Sequence, residues 1–348
     1  MLNIGDSHLM KKINLAILGA TGAVGLEILK VLEERDFPVG NLELLAHKSE
    51  AGKKIIFKGI EYTVKEALED SFENIQITLV AVSSEVSKKF MPSVIKNGSI
   101  AVDNSSAFRL DDNVPLVIPE INPEEVLKHK GIIANPNCST TIGLVAVNEL
   151  NKYGNIKRMI VLTYQAVSGA GLDGLKELEE QTRAELDSKE YKNTIFQHKI
   201  AFNIIPHIDD ILENGYTKEE MKMVYESRKI LNKPNLLVSC NCARVPVMRS
   251  HSESITIETE KEITVEKARE LLSNAKGVKL VDDPINNQYP MPLDTSNQDL
   301  VYVGRVRKDI SSLDGKSLTL WCCGDQIRKG AATNAIQIAE LLLEKGLV

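Results

Sequence analysis

The first strongly apolar segment of the chain ends in a turn rich in glycine. Residues 13–18 are aliphatic apart from Asn14, and Gly19-Ala20-Thr21-Gly22-Ala23-Val24-Gly25 follows directly. Beyond the turn, apolar side chains recur at the spacing of one helix face, at Leu26, Ile28, Leu29, Val31 and Leu32. A strand, a glycine turn and a helix in this order predict the opening unit of a dinucleotide-binding βαβ fold.

The same alternation of apolar runs and helical periodicity continues to about residue 137. Buried strands are predicted at 42–46, 77–82, 99–102 and 131–134, and helices at 63–68 and 86–96. Strands that are apolar almost throughout and alternate with helices are typical of a parallel sheet covered on both faces.

After residue 137 the pattern changes to longer strands, several of which alternate apolar and polar residues, as a sheet with one solvent-facing side requires. Strands are predicted at 158–167, 236–247, 254–260, 300–307 and 317–322, and helices at 174–187, 264–274 and 331–345. We therefore predict an α/β protein with a dinucleotide-binding domain at 11–137 and an α+β domain at 138–325. Residues 326–348 are expected to form a C-terminal helix that returns to the first domain.

Composition narrows the classes of partner. The chain has 348 residues, 43% of them hydrophobic, and a formal net charge of −6. This balance excludes intrinsic disorder, and a weakly acidic chain has no general attraction to nucleic acid or anionic membrane. No apolar run approaches the roughly 18 to 20 residues of a bilayer span, and the N-terminus lacks the apolar core of a secretory signal. We therefore expect a small-molecule substrate and neither a nucleic-acid nor a membrane partner.

The five cysteines are few and odd in number for a secreted scaffold, so a reducing cytoplasm is expected. The pairs Cys240-x-Cys242 and Cys322-Cys323 lack the spacing of common structural zinc sites. Alternation along a strand is expected to send the two thiols of each pair to opposite faces. No metal site is predicted.

The spacing of Gly19, Gly22 and Gly25 lets backbone N–H groups approach a pyrophosphate at a helix N-terminus. The alternative is a tight turn that binds nothing. At the end of the second strand, an acidic side chain favours a free ribose 2′-hydroxyl and basic ones favour a 2′-phosphate. Residues 46–54 contain three lysines and also Glu50, so the sequence favours NADP and leaves NAD open.

Cys138 is the candidate nucleophile. It lies in Asn135-Pro136-Asn137-Cys138-Ser139-Thr140-Thr141, directly before a helical run. Ser139 or Thr140 is expected to cap that helix and to leave the thiol at its positive end, where the pKa of a cysteine falls. A buried structural cysteine is the alternative.

His251 is the candidate base. It is predicted in a polar loop that enters the next strand, seven residues after Arg244. Arg244 offers a fork that binds carboxylates, so one segment carries both a base and an anion-binding group. A surface histidine without a catalytic role is the alternative.

Several motifs, in order along the chain, resemble those of the aspartate-semialdehyde dehydrogenase family. They are the turn 19–25, Asp103-Asn104-Ser105-Ser106-Ala107-Phe108-Arg109, Asn135-Pro136-Asn137-Cys138-Ser139-Thr140, and Arg244-Val245-Pro246 with His251. The match runs from about residue 13 to the C-terminal helix. It implies a Rossmann-type domain and a catalytic and dimerisation domain, arranged as in glyceraldehyde-3-phosphate dehydrogenase.

The resemblance also implies site roles, beginning with Cys138 as nucleophile and His251 as acid/base. It makes Asn137, Gln165, Glu219 and Arg244 substrate-binding residues, with Arg244 on the carboxylate and Glu219 on the amine. It makes Arg109 and Lys222 the phosphate-binding pair. The implied cofactor contacts are Gly19, Thr21, Gly22, Ala23, Val24, Gly25, Ser49, Glu50, Ser168, Gly169 and Gln326.

The implied reaction is NADPH-dependent conversion of L-aspartyl 4-phosphate to L-aspartate 4-semialdehyde through a cysteine thioester. It belongs to lysine (diaminopimelate), threonine and methionine biosynthesis. A homodimer is expected, and a tetramer stays open. NADP-dependent members often carry Arg-Ser where this chain has Ser49-Glu50, so NAD also stays open.

Three other functions share parts of this pattern. N-acetyl-γ-glutamyl-phosphate reductases usually have Gly before the cysteine, where this chain has Asn137. A malonyl-CoA reductase would have less use for Arg109 and Lys222. A catalytically silent nucleotide-binding paralogue would be expected to lose Cys138 or His251, and both are present.

Overall fold

A computed structural model describes residues 12–348, so the predicted domain start at residue 11 lies outside the described residues. The strands are β1 (Ile13–Leu18), β2 (Val39–Ala46), β3 (Lys54–Phe57), β4 (Ile60–Thr63), β5 (Lys65–Glu66), β6 (Ile77–Val80), β7 (Ile100–Asp103), β8 (Ile132–Ala134), β9 (Ile156–Gln165), β10 (Leu237–Arg244), β11 (His251–Thr259), β12 (Val278–Leu280), β13 (Val301–Lys308) and β14 (Ser317–Gly324). The helices are α1 (Ala23–Glu34), α2 (Ser84–Lys96), α3 (Cys138–Gly154), α4 (Gly171–Leu186), α5 (Lys218–Ile230), α6 (Val265–Ser273), α7 (Pro292–Thr295) and α8 (Thr333–Glu344).

The N-terminal sheet is parallel throughout, with the strand order β5-β2-β1-β6-β7-β8. The strands β3 and β4 form a separate antiparallel hairpin. Helix α8 packs on this sheet, because Ile336 and Ile338 share one buried cluster with Ile13 of β1 and Ile28 of α1. The C-terminal helix therefore packs against the parallel sheet and α1.

The second sheet has the order β10-β9-β11-β14-β13-β12, with parallel pairs at its two edges and antiparallel pairs between them. One face packs on α3, α5 and α6 around residues such as Val145, Ile255 and Leu272. The other face is partly exposed, with Leu162 of β9 at 40%. The prediction of a sheet with helices on one face and solvent on part of the other is confirmed.

Two predictions about secondary structure were wrong. Residues 63–68 are not a helix, because Lys65 and Glu66 pair in parallel with Leu45 and Ala46 and extend the sheet. The whole of α5 was missed, although Thr217 and Glu220 form a reciprocal capping box at its start. Most positions of α5 are polar, including several on its buried face, so the segment lacks the apolar periodicity that predicts a helix.

The prediction that the thiols of each cysteine pair face opposite ways was wrong for Cys240 and Cys242. Residues two apart on a strand share a face, and the two sulfur atoms lie 3.6 Å apart. Both side chains are buried in the sheet.

None of the helices in the described part of the chain has the combination of length and apolar composition that crossing a membrane requires.

Candidate active site

Cys138 is the first residue of α3. The cap is Asn137, whose Oδ1 accepts hydrogen bonds from the backbone N–H groups of Ser139 (3.0 Å) and Thr140 (3.4 Å). The predicted cap by Ser139 or Thr140 was wrong, because the cap lies two or three residues earlier, at Asn137, and both residues belong to the first turn of the helix. Gly330 packs closely on Cys138, since a Cβ at Gly330 would lie 2.7 Å from Cys138 Cβ.

Two buried carboxylates of α5 hold this helix start. Glu219 and Glu226 are seven residues apart, so both lie on one face of α5. Glu226 accepts from Asn137 N (2.7 Å) and from Arg109 Nη1 (3.1 Å). Glu219 accepts from Asn137 Nδ2 (3.0 Å) and from Gln165 Nε2 (3.2 Å). One helix therefore connects four of the predicted site residues.

The predicted phosphate-binding cations, Arg109 and Lys222, line one cavity of about 220 Å³. Arg109 is fixed by hydrogen bonds to the backbone oxygens of Asn135 (2.9 Å) and Asn104 (2.7 Å). Lys222 Nζ contacts both Glu219 and Asp209, each at 2.9 Å. Each cation is therefore already paired with carboxylate before an anion enters.

Three predicted site residues lie together where strands of the second sheet end or begin: Gln165, Arg244 and His251. Gln165 ends β9 and Arg244 ends β10, and these parallel strands pair the two residues directly. The antiparallel strand β11 begins at the same edge with His251. His251 was predicted in a polar loop and is instead a fully buried strand residue, which excludes the surface-histidine alternative.

The hydrogen bonds of His251 define its tautomer. Its Nδ1 accepts from Ala166 N (3.1 Å), so the neutral ring carries its proton on Nε2. That atom lies 3.3 Å from Gln165 Nε2. Gly169 lies against the same group, since a Cβ there would be 3.4 Å from the ring and 2.7 Å from Arg244 Nη1.

Burial dominates the protonation of this cluster. It raises the pKa of Cys138 to about 12, with a further contribution from the negative charge of Glu219. It also lowers the pKa of His251 to about 3, and the Arg244 guanidinium acts in the same direction. For Glu219, burial opposes ionisation, but Lys222 and the amides of Asn137 and Gln165 outweigh it and lower the pKa to about 2. The expected low pKa of Cys138 was therefore wrong for the unliganded site.

The glycine turn forms a close-packed cradle for a dinucleotide. Gly19 has φ +93°, and a Cβ at Gly25 would lie 2.1 Å from Gly19 O. Gly22 caps α1 without a side chain, so the first N–H groups of α1 stay available to a pyrophosphate. Thr21 lies in this turn, and Ala23 and Val24 open α1. These features fit the predicted cofactor.

Ser49 and Glu50 lie in a short 3₁₀ turn after β2. Glu50 and Thr21 line a cavity of about 310 Å³ together with His47 and Lys48. Lys53 forms an ion pair with Glu50. An acidic and a basic group therefore both stand where a ribose 2′-substituent is expected.

Ser168, Gly169 and Gln326 form the other end of the predicted dinucleotide contacts. Ser168 and Gly169 lie in a 3₁₀ turn after β9, and Gln326 Nε2 donates to Ser168 Oγ. Gln326 Oε1 accepts from Ser250 N (2.9 Å), one residue before His251. This end therefore adjoins the residues around His251, whereas Ser49 and Glu50 lie with the glycine turn.

Two residues of the cluster were missed by sequence reasoning. Glu226 holds Arg109 and the Asn137 backbone, and Asp209 holds Lys222. The capping box of α5 was the signal that could have found Glu226, because a helix from Lys218 puts it on the face of Glu219. Asp209 belongs to an irregular segment and carries no such signal.

The comparisons with known proteins agree with this architecture. Family models described as "Semialdehyde dehydrogenase, NAD binding domain" and "Semialdehyde dehydrogenase, dimerisation domain" match residues 14–129 and 148–329. Together they define the class as a two-domain semialdehyde dehydrogenase. They leave residues 130–147 uncovered, so the boundary at 137/138 stays a prediction.

Individual relatives define the family more narrowly. Aspartate-semialdehyde dehydrogenase of Aquifex aeolicus is 54% identical over 96% of this chain and 98% of its own length. The Bacillus subtilis protein of the same name is 46% identical over 97% and 99%. A crystal structure of aspartate semialdehyde dehydrogenase II complexed with ASA from Vibrio cholerae has a TM-score of 0.93 and 43% identity, covering 96% of this chain and 99% of that one. The chain belongs to the aspartate-semialdehyde dehydrogenase family.

The high pKa of Cys138 predicts a steep pH dependence of its alkylation. In the unliganded protein, the rate with iodoacetamide should rise about tenfold per pH unit from pH 7 to pH 10, because the thiolate fraction is small throughout. The other four cysteines are buried, and mass spectrometry of Cys138→Ala is the control for their silence. An alkylation rate that levels off below pH 9 would contradict the raised pKa of Cys138.

Proposed function

We propose that this protein catalyses the reversible, NADPH-dependent reductive dephosphorylation of L-aspartyl 4-phosphate to L-aspartate 4-semialdehyde. The observation that carries the proposal is the cluster around Cys138, in which Asn137, Glu219 and Gln165 are joined by hydrogen bonds. Full-length similarity to aspartate-semialdehyde dehydrogenases supports it.

Arg244 is proposed to bind the substrate carboxylate. Its Nη1 donates to Ala166 O (2.8 Å), which orients the planar group, and a carboxylate can then bind in a bidentate manner. Glu219 has a strongly lowered pKa, so it is negatively charged and can pair with the substrate amine. A cation and an anion in one site would together recognise the carboxylate and the amine of an α-amino acid.

Arg109 and Lys222 are proposed to bind the phosphate. Lys222 carries a raised pKa because Glu219 and Asp209 outweigh the effect of its burial, so it stays charged. Two fixed cations balance the charge of the phosphate as it leaves, which is the stage at which stabilisation accelerates the reaction.

The covalent step is proposed on Cys138. Its sulfur attacks the acyl carbon, the carbon–oxygen bond to phosphate breaks, and a thioester forms. The thiol proton is taken up by the departing phosphate, which leaves as hydrogen phosphate. NADPH supplies the hydride that reduces this thioester to the hemithioacetal level. The hemithioacetal then collapses and releases the aldehyde and the Cys138 sulfur.

His251 is proposed to stabilise the oxygen on which negative charge develops. Its Nε2 carries the proton of the neutral ring, so it can donate a hydrogen bond to that oxygen. A doubly protonated ring is disfavoured by burial and by Arg244, which lower the pKa to about 3. The structure therefore supports a donor role better than the general acid/base role implied by the resemblance.

The alternative functions fit less well. The relatives that match nearly the whole chain are named aspartate-semialdehyde dehydrogenases, at identities from 42% to 54%. Asn137 caps α3 and binds Glu219, roles in which a glycine could not replace its side chain. The reductase with Gly before the cysteine is therefore disfavoured, and the intact cluster argues against a silent paralogue.

The protein is further proposed to act as a homodimer in the cytoplasm. The family model for residues 148–329 is that of a dimerisation domain. The partly exposed face of the second sheet, which includes Leu162, offers an apolar surface to a second copy. Free cysteines at all five positions are consistent with a reducing compartment.

The proposed reaction predicts phosphate-dependent reduction of NADP by the purified protein with L-aspartate 4-semialdehyde. Absorbance at the wavelength of the reduced nicotinamide measures the rate. Cys138→Ala should lose nearly all turnover, because no thioester can form. Cys240→Ala, which removes a buried thiol elsewhere, should keep most of it.

Reduction without added phosphate at the same rate, or activity that survives in Cys138→Ala, would contradict the proposed chemistry.

Cofactor preference gives a separate prediction. In Glu50→Ser, the ratio of kcat/KM for NADP to that for NAD should rise about 10-fold or more, because the carboxylate at the 2′-position is removed and Lys53 is freed. Lys53→Ala should lower the same ratio. An unchanged ratio in Glu50→Ser would mean that this carboxylate does not face the ribose.

A further inference from the structure

The residue before His251 has a strained backbone. Ser250 has φ +74°, in the left-handed region that non-glycine residues seldom adopt, and it is completely buried. Such a conformation costs free energy and persists only where the surrounding structure imposes it. The position of His251 at the start of β11 therefore depends on what holds this turn.

Arg249, on the other side of Ser250, is hydrogen-bonded to one carboxylate and forms an ion pair with a second. Its Nε donates to Asp325 Oδ2 at 2.6 Å, and its Nη2 lies 3.0 Å from Glu27 Oε2. Asp325 is completely buried and also caps the following segment by accepting from Ile327 N (2.9 Å). The turn is therefore held from the second domain by Asp325 and from α1 by Glu27.

Glu27 occupies a particular place in the nucleotide-binding domain. It lies two residues after Gly25, on the helix whose N-terminus forms the dinucleotide cradle. It is only 8% exposed, and its other oxygen lies 3.1 Å from Arg328 Nη1. The Glu27 carboxylate thus accepts a hydrogen bond from Arg328 and forms an ion pair with Arg249. Arg249 lies two residues before His251 in the sequence.

We propose that Glu27 is a positioning residue, which sets the place of His251 relative to a dinucleotide bound at the start of α1. Glu27 is largely buried and the Arg249 side chain is 21% exposed, so separating the pair leaves the carboxylate with one cationic partner fewer in a place that water reaches poorly. The Glu27–Arg249 pair therefore links the helix that holds the cofactor to the strained turn that presents the ring. The inference rests on the proposed function only in that the ring acts during hydride transfer.

Two variants test this link, Glu27→Gln and Arg249→Lys. Glutamine keeps the shape of Glu27 without its charge, and lysine keeps a charge that cannot contact Glu27 and Asp325 in the fork geometry of arginine. In each, kcat should fall by about 10- to 100-fold while KM for the dinucleotide changes by less than about threefold, because a misplaced group costs rate without costing ground-state binding.

Glu34→Gln is the matched control. Glu34 lies on the same helix and contacts Arg328, but its pairs do not include Arg249. It should keep the kcat of the parent protein. Thermal unfolding of all three variants shows whether each is folded at the assay temperature.

A second readout does not need the substrate. In protein labelled with ¹⁵N-histidine, the ring nitrogens of His251, identified by their loss in His251→Asn, report the tautomer that Ala166 N–H imposes. Glu27→Gln and Arg249→Lys should shift these signals, whereas Glu34→Gln should not.

Folded variants with unchanged kcat and unchanged His251 signals would overturn the proposal, as would a rise in KM for the dinucleotide alone. If the parent protein fails to oxidise aspartate semialdehyde but the signals still shift, the proposed function fails and the positioning role stands.

Discussion

The arrangement of the site depends on two buried carboxylates, Glu219 and Glu226, on one face of α5. Glu226 accepts a hydrogen bond from the backbone N–H of Asn137, and Glu219 accepts one from its side-chain amide. These bonds fix the residue that caps α3 directly before Cys138. The same two groups hold the cations Arg109 and Lys222. Buried charges are tolerated only when they are paired and hydrogen-bonded, so loss of Glu226 would leave Arg109 without its carboxylate partner in the interior.

This arrangement also decides the electrostatics before substrate binds. The helix N-terminus favours a thiolate at Cys138, but burial and the charge of Glu219 outweigh it and raise the pKa to about 12. Of the two cations that would lower it, Arg109 is already paired with Glu226, and Arg244 donates to the backbone oxygen of Ala166. A substrate carboxylate bound to Arg244 would supply that guanidinium with an anionic partner, which its backbone acceptor Ala166 O does not provide.

Much of the fold could be predicted from apolar periodicity. The strand, glycine turn and helix at the N-terminus are strongly patterned, and the parallel sheet follows from strands that are apolar throughout. Helix α5 could not be recognised in this way, because its buried face includes Glu219, Glu226 and Ser227, which are polar in the sequence and buried only through partners distant along the chain. Those partners also explain why Glu226 was missed.

Motif positions predicted which residues meet, but not their protonation. Gln165, Arg244 and His251 converge because two parallel strands end, and an antiparallel one begins, at the same edge. The expected low pKa of Cys138 was wrong, because the helix terminus is a local influence and burial in the tertiary structure outweighs it. The tautomer of His251 likewise depends on Ala166 N–H, a backbone contact that the sequence does not display.

Trapping the covalent intermediate tests the proposed role of Cys138 most directly. The protein is incubated with L-aspartate 4-semialdehyde and NADP without phosphate, so that hydride transfer can occur but the thioester has no phosphate acceptor. Intact-mass and peptide analysis should find an aspartyl group on the peptide that contains Cys138, and the group should disappear when phosphate is added. A fully active protein that yields no adduct, or an adduct on another residue, would contradict the proposed role of Cys138.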